Sequence, residues 1–350
     1  MRTGYWVLGT GYWIRNTNYW VKICRKIARR SFGAFFSNIL PSIFDALLKQ
    51  NMSSNSHTPI TLGPHQAPVY ALAEGLTHNL VFTGGGDRVV ALWDVTTGKQ
   101  QPFAVRTDSP IYSLFFNKPT QTLFIGCSNG VLHAIDMQSK REIQAWSLDA
   151  NGLFDLKLDE SRNRLLVAGG NGILTVLDLS SMEVLRSVPL SEGKLRRLAL
   201  NPESTMLAVA DNAGPVHILE AEIYQSIETI HSHAEGATSV LWHPSKPVLI
   251  SGGKDAYIRC HSFLDGFKSV LDFAAHQSAI YDLVYHTETG SIVSCSRDKT
   301  IKWWNPVTFD PIRRVSHAEG GHKHSVNRLL SVGAFLVSAS DDRAVLLFGA

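Results

Sequence analysis

Cysteine is scarce and scattered. The chain of 350 residues holds four, Cys24, Cys127, Cys260 and Cys295, and none belongs to a CxxC pair or a Cys/His cluster. That spacing suggests neither a disulfide framework nor a zinc site and fits a reducing compartment. Three of the four fall inside apolar, strand-like runs, where a free thiol behaves as a small apolar side chain. Long hydrophobic runs are missing as well: no stretch approaches the roughly 18 apolar residues of a membrane-spanning helix. HExxH, the helix-borne metal signature, does not occur. A strong charge bias is also lacking in most of the chain. Net charge is +3, but residues 1–51 alone carry eight Lys or Arg against one Asp. The remainder has 25 basic and 29 acidic residues, a slightly acidic body that gives no footprint for nucleic acid.

What the sequence does have is a beat. VFTGGGDRVVALWD, from Val81 to Asp94, and IVSCSRDKTIKWWN, from Ile292 to Asn305, share one skeleton. In each, a hydroxyl residue stands four before an Asp and a Trp six after it. Segments in this register end at Asp94, Asp136, Asp178, Glu220, Ser262, Asn305 and Gly349, spaced 42, 42, 42, 42, 43 and 44 residues apart. Each period holds a first apolar strand (VYALA, IYSLFF and their equivalents), a turn, a second strand (LVFTG, LFIGC), a tight turn and a third strand. Asn129-Gly130 and Asn171-Gly172 occupy the tight turn in the second and third periods, where left-handed backbone is needed. Short strands at this spacing predict four-stranded sheets set radially, an all-β seven-bladed propeller over residues 57–350.

Over that range the chain resembles the WD40-repeat family, on the 42-residue period, Trp93-Asp94, Trp304-Asn305 and Gly321-His322. The resemblance implies buried hydrogen-bonded sets of His, Ser or Thr, Asp and Trp. They would be His65, Thr83, Asp87 and Trp93 in blade 1, and His276, Ser294, Asp298 and Trp304 in blade 6. Blade 5 keeps His233, Ser251 and Asp255 with His261 in the Trp place; blade 7 keeps His322, Ser338 and Asp342 with Phe348 there. Thr107, Asp149 and Ser191 stand where blades 2 to 4 would carry His. These polar residues are read as structural rather than catalytic, because buried acceptors and donors need one another. The chain stops at Ala350 after the third strand of blade 7, so Thr58–Leu62 is expected to supply its outer strand and close the ring.

Residues 1–51 read differently. GYWVLGT, GYWIRNT and NYWVKIC repeat every seven positions and lead into Lys22, Arg25, Lys26, Arg29 and Arg30. One reading is an interfacial membrane anchor. The favoured one is a dispensable extension, disordered or not native, with Met52 the natural start. Basic residues interrupt its middle, which disfavours a signal peptide.

Function is sought at the channel mouth. One residue past the apolar anchor of each first strand come Tyr70, Tyr112, Phe154, Arg196, Thr238, Tyr281 and Asn327. Asn212, Lys254, Arg297 and Asp341, each beside a tight turn, form a second ring. The resemblance implies that this face contacts a partner peptide, and aromatics with Arg are the types that dominate binding hot spots. The same rings could instead serve as a channel plug. The expected function is a non-catalytic, cytoplasmic scaffold for protein–protein interaction: a monomeric propeller with no cofactor and no metal, whose partner is another protein or peptide. Membrane contact is expected only through residues 1–51. The alternative is a propeller enzyme of lactonase or hydrolase type, against which the mouth ring offers no Asp, Glu or His. His133 and His217 are read as ordinary strand histidines without a carboxylate companion, and HAEGGHKH, His317 to His324, as a structural connection. Gly84-Gly85-Gly86 resembles a phosphate cradle only superficially, since a strand follows it.

Overall fold

The computed structural model describes residues 59–63, 65–148 and 151–349. The heptad-like segment 1–51, with its choice between anchor and dispensable extension, lies outside the described residues, as does Asp149. Seven antiparallel sheets of four strands follow one another along the chain. Blade 1 comprises Val69–Glu74, Leu80–Gly85, Val89–Asp94 and Lys99–Arg106. The inner strands of blades 2 to 7 are Ile111–Asn117, Leu153–Asp159, Leu195–Leu200, Ala237–Trp242, Ile280–His286 and Val326–Val332. Each inner strand packs on that of the next blade, and the inner strand of blade 7 packs back on blade 1. The result is a closed seven-bladed β-propeller, as the 42-residue spacing predicts.

Burial follows position in the blade. Second strands lie between two neighbouring sheets and are covered on both faces: every residue of Thr122–Cys127 and of Ser291–Ser296 is buried. Outer strands such as Glu183–Pro189 face water along most of their length. The core is therefore a set of inter-blade layers; one joins Leu72, Val81 and Trp93 of blade 1 to Val337, Val345 and Leu347 of blade 7. Leu62 completes that layer with no exposed surface. It belongs to the closing strand Ile60–Leu62, shorter than the stretch expected from sequence, which pairs antiparallel with Val345–Gly349 through Ile60↔Leu347, Thr61↔Leu346 and Leu62↔Val345. Blade 7 is thus stitched from both ends of the described chain, and its outer position is filled.

One irregularity repeats seven times and positions the candidate site. Every inner strand slips register between its first and third residues: at Val69/Ala71, Ile111/Ser113, Leu153/Asp155, Leu195/Arg197, Ala237/Ser239, Ile280/Asp282 and Val326/Arg328. The skipped residue is a β-bulge, which re-aims side chains away from strict alternation. The skipped residues are Tyr70, Tyr112, Phe154, Arg196, Thr238, Tyr281 and Asn327. The triple glycine of blade 1 has a related cause. Gly86 N–H donates to Pro68 O over 2.8 Å, and a Cβ on Gly85 would lie 2.1 Å from that same oxygen. Close backbone approach explains Gly85 without any phosphate.

Candidate partner-binding face

Hydrogen-bonded sets brace the turns that frame this face. In blade 1, Trp93 Nε1–H donates to Thr83 Oγ1 (2.9 Å), which lies 2.7 Å from His65 Nε2, while His65 Nδ1 lies 2.8 Å from Asp87 Oδ2. In blade 6 the same contacts are 2.8 Å (Trp304 to Ser294), 2.7 Å (His276 to Ser294) and 2.9 Å (His276 to Asp298). A neutral imidazole with its proton on Nδ1 satisfies every member: indole to hydroxyl, hydroxyl to Nε2, Nδ1–H to carboxylate. Burial pushes Asp298 up, but donation from His276, Thr300 and Gln277 outweighs it and holds the carboxyl well below its usual range. Burial likewise pushes His276 down, against the pull of Asp298. Blade 5 joins His233 to Asp255 and Ser251 (2.9 Å each) and adds Arg259 on Asp255 at 2.6 Å. Blade 7 joins His322 to Ser338 (2.7 Å) and Asp342 (3.0 Å). His261 and Phe348 are buried in the Trp position of these two blades.

At the mouth, the bulge residues of blades 1 to 4 form one continuous arc. Tyr70 meets Tyr112 edge-on with centroids 5.6 Å apart, and Tyr112 stacks on Phe154 at 5.2 Å. The Arg196 guanidinium caps Phe154 at 4.5 Å, with Lys194 over the same ring at 5.6 Å. All four bulge residues are half-buried: packed on one another, yet open on one side. Burial, then Asp341 and Tyr112, raise the Tyr70 phenol. Burial and the adjacent Arg197 push Arg196 down. Asn327 bridges blades 7 and 1 by donating to Val69 O (3.0 Å) and Asp341 (2.8 Å). Lys254 Nζ reaches Asn212 O at 3.2 Å. Tyr281 packs instead against the layer between blades 6 and 7. Arg297 is exposed, away from these contacts. Thr238 is not displayed at all, being buried with its hydroxyl given to Gly252 O and Ile280 O.

One layer deeper lie residues that the sequence reading passed over. Asp155, Arg197, Asp282 and Arg328 each follow a bulge residue, and they meet in the channel. Arg197 pairs with Asp282 (Nε to Oδ1 3.0 Å) and reaches Asp155 Oδ1 at 3.4 Å; Arg328 pairs with Asp155. The carboxylates also tie neighbouring blades, since Asp155 accepts Leu198 N–H and Asp282 accepts Leu329 N–H, each at 2.9 Å. Burial pushes both carboxyls up, and Arg197 pulls them back. An axial register table of the third strand position (Ala71, Ser113, Asp155, Arg197, Ser239, Asp282, Arg328) would have exposed this two-acid, two-base set. The mouth ring itself has no carboxylate, but the channel does. Below the set the channel opens into a cavity of about 1080 Å³ on the opposite face.

The reading of His133 and His217 needs correction. His133 and His217 do have carboxylate companions: Glu142 at 2.7 Å and Asp211 at 3.2 Å, each within its own blade. Gly126-Cys127-Ser128-Asn129-Gly130 has the GxSxG spacing, yet it spans a strand-to-strand turn between Thr122–Cys127 and Val131–Asp136. A nucleophile elbow needs a strand-to-helix turn. In HAEGGHKH, His317–Glu319 forms one short 3-10 turn and His322 joins the blade 7 set. The buried thiols are poor nucleophiles, burial holding Cys295 far up and pushing Cys260 up to about 12. Among the described residues, no His, Cys, Asp or Glu group is arranged to hold a metal ion, and no helix is long and apolar enough to cross a membrane.

Comparison with known proteins agrees with this architecture. Residues 57–94, 224–262 and 267–305 match the family described as WD domain, G-beta repeat. Those stretches contain the His, hydroxyl and Asp sets of blades 1, 5 and 6. WD40 repeats thus occur in three places, blades 1, 5 and 6, of a ring of seven four-stranded blades. Kinesin-like protein klp-12 of Caenorhabditis elegans is 30% identical over 115 residues, 32% of this chain and 7% of that protein. Nuclear distribution protein nudF of Aspergillus niger is 30% identical over 129 residues, 35% of this chain and 28% of that one. Protein tipD of Dictyostelium discoideum is 35% identical over 65 residues, 19% and 10% of the two chains. The matched stretches thus span less than a third of each of these relatives.

Proposed function

We propose that this chain is a non-catalytic interaction platform of the cytoplasm that binds a peptide or protein partner at the channel mouth. The carrying observation is the arc Tyr70–Tyr112–Phe154–Arg196, whose members are fixed by mutual stacking before any partner arrives. A side chain already held in place loses little entropy when it makes a new contact, so a rigid aromatic arc favours docking. Half-buried Tyr, Phe and Arg are also the types that supply most interface energy. The channel carboxylates favour this reading over hydrolysis. Asp155 and Asp282 are ion-paired to Arg and accept backbone N–H groups, so each is occupied as a structural acceptor.

Quantitative affinity purification with wild type and the triple variant Tyr70→Ala/Tyr112→Ala/Arg196→Ala tests the proposal, with thermal melting as the check on folding. Partners should drop by about tenfold or more in the variant, the cost of losing a few hot-spot side chains. Equal recovery by both proteins refutes the mouth as the binding face. Chains begun at Met1 and at Met52 should pellet alike with vesicles if residues 1–51 are dispensable.

A further inference from the structure

The circumference carries a second feature, independent of the mouth. Between the outer strands of blades 5 and 6, Lys268–Ala274 and Pro311–Val315, lies an open groove of about 530 Å³. That volume is within the range of ligand-binding clefts, about 300–1,000 Å³. Its apolar part is Leu271, Phe273, Trp304 and Phe309. Phe273 meets Trp304 edge-on at 5.2 Å and Phe309 at 6.0 Å. At two other blade junctions the aromatics pack against side chains of the chain itself. Arg164 lies over Tyr224 and Arg186 donates to Ile223 O between blades 3 and 4, and Phe263 and Phe267 pack on Trp242 between blades 4 and 5. Here Phe273 and Phe309 are half-buried over the buried Trp304, and exposed Val270 (57%) and Leu271 (36%) extend the apolar surface.

The charge along this groove has one sign. Lys302, Arg313 and Arg314 line it, and no carboxylate does. Lys302 is engaged with Ala275 O at 2.6 Å, and Arg313 lies over Trp303 at 4.8 Å. Arg314 has no hydrogen bond or ion pair among the described residues, leaving its full donor fork to a ligand. Acids lie beside the lining without forming it: Asp272 stands between Leu271 and Phe273 in sequence, Asp310 accepts from Thr308 at 2.7 Å, and Glu319 feels the charge of Arg314. A cationic rim around an aromatic floor selects acidic partners.

We infer that the groove between blades 5 and 6 docks an extended acidic segment of another protein, with an aromatic or branched apolar side chain on Phe273, Phe309 and Trp304 and carboxylates against Arg314. Fluorescence anisotropy on the full chain tests it, using a labelled peptide that alternates Glu with Leu and Phe, the same peptide with Lys for Glu, and polyglutamate. The acidic apolar peptide alone should bind, and the affinity should fall at least about tenfold in both Arg314→Glu and Leu271→Asp. Leu185→Asp, the same kind of change on the exposed outer strand of blade 3, should leave it unaltered. Thermal melts identify any variant that fails to fold. No binding of the acidic apolar peptide, equal binding of the Lys peptide or polyglutamate, or equal loss in Leu185→Asp overturns the proposal. None of these outcomes bears on the channel mouth.

Discussion

Blades 1, 5, 6 and 7 close the tight turn after their second strand in one manner, and blades 2 to 4 in another. In the first group a His–Asp pair grips the turn, and the residue after the Asp takes positive φ without being glycine: Arg88 at 66°, Ala256 at 66°, Lys299 at 70° and Arg343 at 71°. In the second group no His precedes the inner strand, and the left-handed position is glycine: Gly130 at 81°, Gly172 at 78° and Gly214 at 141°. A non-glycine residue in that region costs about 1–2 kcal/mol. The buried chain of hydrogen bonds tolerates the strain; blades without it keep the residue that carries none.

The strongest break in this comparison is removal of the acid from a full set. Asp298→Ala should lower stability by about 3–4 kcal/mol, since His276, Thr300 and the Gln277 N–H all lose their acceptor. Denaturant unfolding of the variant beside wild type measures it, and a loss below about 1 kcal/mol would show the set to be ornamental. Acid should sharpen the contrast next. Burial first, and Arg259 and His261 nearby, hold His233 down to about 4 against the pull of Asp255. The unfolded chain therefore takes up this proton first, near its ordinary value of 6.5. The contribution is complete above that value and fades as pH falls toward 4, on the order of 3 kcal/mol. His233→Gln should flatten the stability profile between pH 7 and 4.5. Asp298 and Asp342, whose carboxyls are held low, lose their contribution at more acidic pH still.

In the glycine group, Gly172→Ala should cost about 2 kcal/mol, because φ is 78° and a Cβ would sit 1.8 Å from Ser191 O. The smallest effect has the opposite sign. Lys299→Gly relieves the left-handed strain but loosens the unfolded chain, for a net gain of about 0.5 kcal/mol. A shift in the midpoint of denaturant unfolding reads both.

Much of this was legible before any coordinates. The period reports the blade because each blade is one hydrogen-bonded unit of nearly fixed length, and Asn129-Gly130 announces its turn because few residues accept that backbone. The arc Tyr70–Tyr112–Phe154 could be counted out from the apolar anchors. The ion set beneath it could not, because strand reasoning assumes that neighbours face opposite ways. The bulge at Phe154 cancels that assumption for Asp155, and does the same for Arg197, Asp282 and Arg328. The carboxylates beside His133 and His217 were missed for another reason: Glu142 and Asp211 come from adjoining strands, at separations that depend on register. The groove between blades 5 and 6 depends on how Phe273 and Phe309 pack over Trp304, a property of packing rather than of pattern.

The pairing of Ile60–Leu62 with Val345–Gly349 has a consequence for biosynthesis. A ribosome releases the earlier strand first, and its partner emerges only after every other blade has been made. Throughout that interval a short apolar segment waits with unsatisfied amides, exposed to whatever adheres to strand edges. Closure of the ring is therefore a long-range clasp, and a chaperone that shields nascent β-strands would act on this segment for longer than on any other strand of the ring.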